Sequence, residues 1–404
     1  FLSPASHILP VKTTDLLLRP HGFIISDNLY LRNGTLYAVA EDPSTWPELH
    51  FVLSKGLSSD LKVDLDPTEK EMRIITPSEA KVVLGETALA IDGMTFILYD
   101  IRSNVETVFI QHYYHWWGEI ILGAMRIYSA LTLLPNITLP LPEPKRFIIP
   151  NVGDHSWRDY AGVDGPMMRA AFPSSSISRG DYWDDLATLQ RTFVFERAMV
   201  VSREAAHKHP LSSQWFKMIS STMSVKTPKH FWEPLRQRLV INTLSHLPLG
   251  PDQHFPSKPI ESSNHELNHG AMRISDTWLE PLEEMAKRKR GIPLRKRQDG
   301  VLDASIPLIM VGVHGNGLTH QIWMPPSNQS TVIEIFYPKT YLHDYEMLAR
   351  NMGHKHYAVW NDTTLTYPEG KWFPGVEGGI KDTFHGYSIP VHGPTVAEVV
   401  RKRL

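Results

Sequence analysis

Ile309-Met-Val-Gly-Val-His-Gly-Asn-Gly-Leu-Thr-His320, followed by Thr331-Val-Ile-Glu-Ile-Phe-Tyr337, is the stretch that decides the fold class. Residues 309–313 are an apolar run of strand length, glycines at 312, 315 and 317 punctuate it, a helix starts at Leu318, and 331–337 is a second β-branched run. Strand, tight turn, helix and strand in that order are the repeating unit of an α/β fold. The glycines let the chain turn sharply into the helix, so that backbone N–H groups converge at a helix start, a setting that attracts diphosphate. His314 and His320 add ring nitrogens and Thr319 a hydroxyl. The spacing matches neither the dinucleotide fingerprint G-x-G-x-x-G nor a P-loop, which needs GK[ST]. By spacing alone, a phosphate cradle and an ordinary glycine turn fit equally. Glu334, between Ile333 and Ile335, either accepts hydrogen bonds from ribose hydroxyls or lies on the wet face of an alternating strand.

Upstream, residues 1–110 alternate short apolar runs with turn signals, among them Gly22-Phe-Ile-Ile-Ser26, Asn33-Gly34 and Met94-Thr-Phe-Ile-Leu-Tyr99. They read as strands joined by tight turns. Residues 112–134 hold no proline and repeat apolar residues at helical spacing. Strands are expected at 146–150, at 192–196 and at 199–201, with a polar stretch carrying Trp157 and Asp159 between the first two. Residues 251–268 are rich in Pro, Ser, Asn and Asp and read as an interdomain loop. Beyond it, 278–286 looks helical apart from Pro281, and 287–297 is a basic run that reads as an exposed face. There is no internal repeat and no low-complexity tract. A chain of 404 residues exceeds the roughly 250–300 at which one core stops growing. Two domains follow, an N-terminal domain over 1–250 and a C-terminal one over 251–390. A C-terminal helix over 391–404 is expected to pack back on the N-terminal domain.

The formal charge of −2 excludes a nucleic-acid binder that works by phosphate neutralisation. With no cysteine, disulfides and thiolate chemistry are excluded too. Four N-x-[ST] sequons, at Asn33, Asn136, Asn328 and Asn361, point to the secretory pathway, whereas the lack of cysteine favours a reducing compartment. No stretch approaches the ~20 apolar residues needed to span a bilayer. The chain starts at Phe1 without an initiator Met, so a targeting segment is expected upstream.

A second constellation is His112-Tyr-Tyr-His-Trp-Trp-Gly-Glu119, where His112, His115 and Glu119 at i, i+3 and i+7 share one helical face. Two imidazoles and a carboxylate suit a metal site, a general-base cluster, or a structural hydrogen-bonded set. Trp116 and Trp117 beside them suit a sugar-stacking face, which favours catalysis over metal. Asp64-Leu-Asp66 and Asp181-Tyr-Trp-Asp-Asp185 echo D-x-D ligands but read as solvated loops.

These residues resemble glycosyltransferase family 61, in its fungal branch, a family that includes plant β-1,2-xylosyltransferases and animal O-linked N-acetylglucosaminyltransferases. The resemblance rests on residues 314–320 with Met324-Pro-Pro326, on 332–338, Asp344-Tyr345 and 356–361, on His115-x-x-x-Glu119, and on 195–203. It covers most of 100–390. It implies a GT-B fold, two Rossmann-like α/β domains facing a cleft, and an inverting transfer of sugar from a UDP-sugar to a glycan or glycoprotein hydroxyl. Xylose and N-acetylglucosamine are the expected sugars. By the same resemblance Glu119 is the base and His115 its neighbour, while His314, Gly315, Asn316, Gly317, Leu318, Thr319 and Glu334 bind the donor. It implies no metal site and no tightly bound cofactor, and leaves dependence on divalent ions open. It also implies a type II membrane protein of the Golgi or ER lumen, anchored upstream of this chain. One departure stands out: members carry a strand ending in Ser-Arg, followed by further arginines, shortly after a Lys-Pro. Here Lys258-Pro-Ile260 runs into Glu261-Ser-Ser-Asn-His265. Arg273 or the run 287–297 would have to substitute. The alternative is a catalytically weakened nucleotide- or glycan-binding relative.

Overall fold

A computed structural model describes residues 7–55, 57–58, 64–99, 102–103, 109–153, 157–243, 308–368, 371, 373 and 389–403. The protein is mixed α/β with parallel-rich sheets and divides into two compact units, Phe1–Phe231 and Trp232–Leu404. The strands are β1 (Ile8–Pro10), β2 (Asp15–Leu18), β3 (Phe23–Arg32), β4 (Thr35–Val39), β5 (Leu57–Ser58), β6 (Met72–Ile75), β7 (Thr87–Leu98), β8 (Arg102–Ser103), β9 (Arg146–Ile148), β10 (Ser176–Ser178) and β11 (Phe193–Val201) in the first unit. The second unit carries β12 (Ile309–Val313), β13 (Thr331–Ile335), β14 (Lys355–Trp360) and β15 (Thr363–Leu365).

In the first unit a nine-stranded sheet runs β10-β9-β7-β11-β3-β4-β6, with β1 against β7 and β2 against β3. Its longest strands, β3, β7 and β11, lie at the centre and are apolar on both faces, as strands covered on both sides must be. One face packs Leu29, Leu31, Leu36, Ile97, Phe195 and Val200, the other Tyr30, Tyr37, Val39 and Val194. Asn33 and Gly34, at φ 51° and 81°, join β3 to β4 in a two-residue hairpin. Both central positions of such a turn need positive φ, which Asn-Gly supplies. The runs 192–196 and 199–201 are one strand, β11, which passes a register shift against β7 between Phe195 and Arg197, where Arg197 turns its guanidinium to Asp27 on β3.

The helix expected over 112–134 is broken into turns of different pitch: a π-helix at Tyr114–Ile121, an α-helix at Leu122–Ala130 and a 3-10 turn at Leu131–Leu133. Leu122 N–H reaches back to the Trp117 carbonyl, the wide i→i+5 bond of a π turn, a distortion that recurs at functional sites. β11 ends at Val201 and, through the N-cap Ser202, feeds the short helix Arg203–His207. This helix docks on Gly22, at φ 70°, where a β-carbon would come within 2.3 Å of the Ser202 carbonyl oxygen. Only glycine allows that approach. Asp181–Asp185, read above as a loop, lies in the helix Gly180–Thr188, whose Trp183 and Leu186 are buried under the sheet.

In the second unit β12, β13 and β14 are parallel and adjacent, and β15 closes the edge antiparallel to β14. The unit begins ahead of the boundary set at 250. Trp232 stacks on Trp323 at 5.6 Å and donates its indole N–H to the Ile322 carbonyl, which ties the helix Glu233–Thr243 to the C-terminal half. Strand alternation gives this sheet two different faces. Ile309, Val311, Ile333, Ile335 and Val359 form an apolar face, covered by Val396 and Val399 of the helix Gly393–Arg403. That corrects the packing expected of the C-terminal helix: its apolar stripe and its Arg403, bonded to Thr331, belong to its own unit. The interdomain loop 251–268, Lys258, His265, Arg273, the helix 278–286 and the basic run 287–297 lie outside the described residues.

Candidate functional site

The opposite face of the second sheet collects Gly312 and His314 from β12 and its end, Glu334 and Phe336 from β13 and its end, and His356 from β14. Glu334 is fully buried and neither faces water nor stands open to a ribose. Its two oxygens accept hydrogen bonds from two rings: Oε1 from His314 Nδ1, and Oε2 from His356 Nε2 at 2.7 Å. A buried carboxylate needs such partners for both oxygens. Gly312, opposite Glu334 in register, carries no side chain because Leu318 fills the space; a β-carbon there would meet Leu318 Cδ2 at 2.8 Å. Leu318 is buried core, so any share it has in a ligand site is through its backbone.

From that packing the glycine turn takes its form. The helix is 3-10 and spans Asn316–Trp323, with Gly315 at its N-cap and no side chain capping it. Among the described residues, the nearest neighbour of a β-carbon on Gly315 is 3.9 Å away, so no described group closes the turn on that side, and Asn316 is exposed. Thr319 points inward and bonds Asn316 Oδ1 at 3.4 Å. Burial pushes the His320 imidazole down to about 4, so it is neutral at pH 7 and brings no positive charge to a phosphate. Next to the turn His314 stacks on Phe336 at 5.3 Å, and Tyr341, Trp360 and Phe373 extend the aromatic group. A second buried carboxylate, Glu346, accepts from Tyr341 Oη, His343 Nδ1 and the Arg350 guanidinium. Burial alone would raise the Glu346 carboxyl, but its donors and the neighbouring His356 bring it down to about 2.

In the first unit the π-helix aims His115 and Glu119 at one another, His115 Nδ1 lying 2.6 Å from Glu119 Oε2. The same oxygen accepts from Arg203 Nη1 at 2.7 Å, and Oε1 accepts the Met218 N–H at 3.0 Å. Burial would raise the Glu119 carboxyl; Arg203 and His115 outweigh it and hold the group far below the usual carboxylate range. A carboxylate so saturated is a very weak base. His115 is different: its side chain is 21% exposed against 1% for Glu119, and with Nδ1 on the carboxylate its chemistry runs through Nε2. A carboxylate that orients an imidazole in this way is the arrangement of a general-base dyad. His112 lies 5.3 Å from His115 ring to ring. Lys217, over the Tyr114 ring at 5.8 Å, and His207, pushed down to about 4 by burial, complete the surroundings. Trp116 and Trp117 are core residues, fully buried, and present no stacking face.

His115 with Glu119, and His314 with Glu334, are thus paired within their own units. Sequence reading assigned no role to Arg203, Met218, His356, Tyr341, His343 or Glu346. Arg203 carried one available signal, a cation directly after a nine-residue apolar strand. Among the described residues no group of three or more His, Asp or Glu side chains is arranged to hold a metal ion. All four sequon asparagines are exposed, and Asn33, Asn136 and Asn361 sit at positive φ in turns. No described helix is long and apolar enough to cross a membrane.

No protein-family model matches the chain, and no curated protein matches it.

Proposed function

We propose that this chain is an inverting glycosyltransferase of GT-B type, similar to glycosyltransferase family 61, that moves xylose or N-acetylglucosamine from a UDP-sugar to a hydroxyl of a glycan or glycoprotein. The observation that carries the reading is the Gly315-Asn316-Gly317 turn. It stands at the carboxyl end of parallel strand β12, opens a helix, and lies beside a histidine anchored on a buried carboxylate. Ligands of open parallel sheets bind outside the carboxyl ends of the strands, and a helix start favours diphosphate. Glu334 acts in this reading by holding His314, not by touching ribose.

The base in this proposal is His115, with Glu119 as its orienting carboxylate. The acceptor O–H passes its proton to His115 Nε2 while the oxygen attacks the anomeric carbon from the side opposite the diphosphate. The bond from that carbon to the diphosphate oxygen breaks, and UDP leaves with the electron pair. Donors aimed at the leaving oxygens lower the barrier. His314 and the turn supply them here. UDP titrated into the full chain is expected to bind, and a UDP-sugar to be consumed when a glycan acceptor is added. Binding without turnover would make the chain a nucleotide-binding relative, and no binding at all would remove the donor assignment.

We also place the protein in the Golgi or ER lumen, where the exposed Asn33, Asn136, Asn328 and Asn361 would carry glycans. After expression in a eukaryotic cell, treatment with an N-glycan-removing amidase is expected to shift its mobility on a gel. An unshifted band would argue for a reducing compartment instead.

A further inference from the structure

His356 lies outside the glycine turn but shares a buried carboxylate with His314 beside it. It lies on β14 on the same sheet face as Glu334, half a strand from the turn, and is 8% exposed. Its Nε2 lies 2.7 Å from Glu334 Oε2, while Glu334 Oε1 takes His314 Nδ1. A carboxylate donates nothing when ionised, so both rings present N–H to it. That assigns the tautomers: His314 carries hydrogen on Nδ1 and His356 on Nε2. On its other side His356 is within electrostatic reach of Glu346, and the Tyr341 ring stands edge-on at 6.5 Å.

We infer that His356 is a positioning residue of the phosphate-facing site: through Glu334 it fixes the tautomer and ring direction of His314. The reason is the burial of Glu334, which is 0% exposed. Without His356, Oε2 would be a buried anionic oxygen with no donor. The carboxylate would then rotate to share the His314 N–H between both oxygens, or take up a proton and donate to His314 Nδ1. Either change turns the His314 ring or reverses its hydrogen-bond pattern. With His356 present, His314 Nδ1 is committed to Glu334, which sets the direction in which the ring points. Partners that orient a ligating histidine act in the same way at metal sites, where they hold tautomer and direction without touching the ligand's target.

This inference rests on the donor-site reading, and its test separates the two. The full chain is compared as parent, His356→Phe and His356→Gln; the glutamine amide can still donate to Glu334, the phenyl cannot. UDP affinity is measured by calorimetry, and the ring nitrogens of His314, assigned with a His314→Gln control, are followed by NMR with 15N-labelled histidine. His356→Phe is expected to weaken UDP binding about tenfold or more, the scale on which such orienting partners matter, and to change the His314 ring-nitrogen signals, whether the ring turns or loses its Nδ1–H tautomer. His356→Gln is expected to restore both. If His356→Phe does not fold, His356→Asn, whose amide is too short to reach Glu334, takes its place. Parent-like UDP affinity and unchanged His314 ring-nitrogen signals in the phenyl variant would overturn the inference, as would a glutamine variant no better than phenylalanine. If the parent binds no UDP while the His314 signals still follow residue 356, the donor reading falls and the positioning role stands.

Discussion

Glu119→Gln is expected to lower the unfolding free energy by about 3–5 kcal/mol, the cost of leaving one member of a buried ion pair without its partner. The partner is the Arg203 guanidinium, 3% exposed and 2.7 Å from Glu119 Oε2. An amide supplies one acceptor where three donors converge, from His115, Arg203 and the Met218 backbone. Its own NH2 would point at one of them. Urea denaturation of parent and variant at pH 7 measures the difference, and a double replacement, Glu119→Gln with Arg203→Met, is expected to recover part of it because the uncompensated charge goes too. A loss under about 1 kcal/mol would mean that the pair is solvated and the burial argument fails. The effect depends on pH with a definite sign. The folded carboxyl titrates below its unfolded counterpart, so its contribution is complete above the unfolded carboxylate value of about 4.3 and shrinks as pH falls below it. The gap between parent and variant therefore narrows on acidification. Loss of transfer in Glu119→Gln would report a damaged scaffold as much as missing chemistry, so it does not identify the base.

Two local rules made the fold legible. Asn33-Gly34 between alternating runs is a hairpin because Asn and Gly alone accept the required φ at low cost, and the β12-turn-β13 unit follows from glycine spacing between β-branched runs. Both depend on neighbours in sequence. The fate of Glu334 did not, since strand alternation says only that it shares a face with Gly312 and His314, and which face is covered depends on the helix Asp344–Met352, the Leu318 contact and the C-terminal helix on the other side. Position 334 read as facing either a ribose or water because carboxylates are usually exposed. Two histidines from flanking strands made burial affordable there. The same blindness applies to Glu119: i, i+4 spacing announced His115, but Arg203 lies 84 positions away and no periodicity connects them. The domain boundary moved because composition marks a loop, whereas membership of a core is decided by contacts such as Trp232 on Trp323.

His115→Gln should separate chemistry from scaffold where Glu119→Gln cannot. The glutamine amide can still donate toward Glu119, Arg203 and Met218 keep their bonds to the carboxylate, and the replaced ring is the partly exposed member of the group. Stability is therefore expected to change by less than about 1 kcal/mol. Turnover is expected to fall by roughly 10²–10⁴, the range a positioned general base contributes, with UDP affinity unchanged because the glycine turn and His314 lie in the other unit. Steady-state kcat, UDP titration and denaturation on the one variant give the three readouts. Parent-level kcat in His115→Gln would exclude the ring as base, and Glu119 would not inherit the role, since a carboxylate held so far below its usual range by Arg203 has too little proton affinity to draw a hydroxyl proton at neutral pH. The base would then have to come from outside the cluster, and the π-turn at Tyr114–Ile121 would be a device for burying an ion pair under the sheet and nothing more.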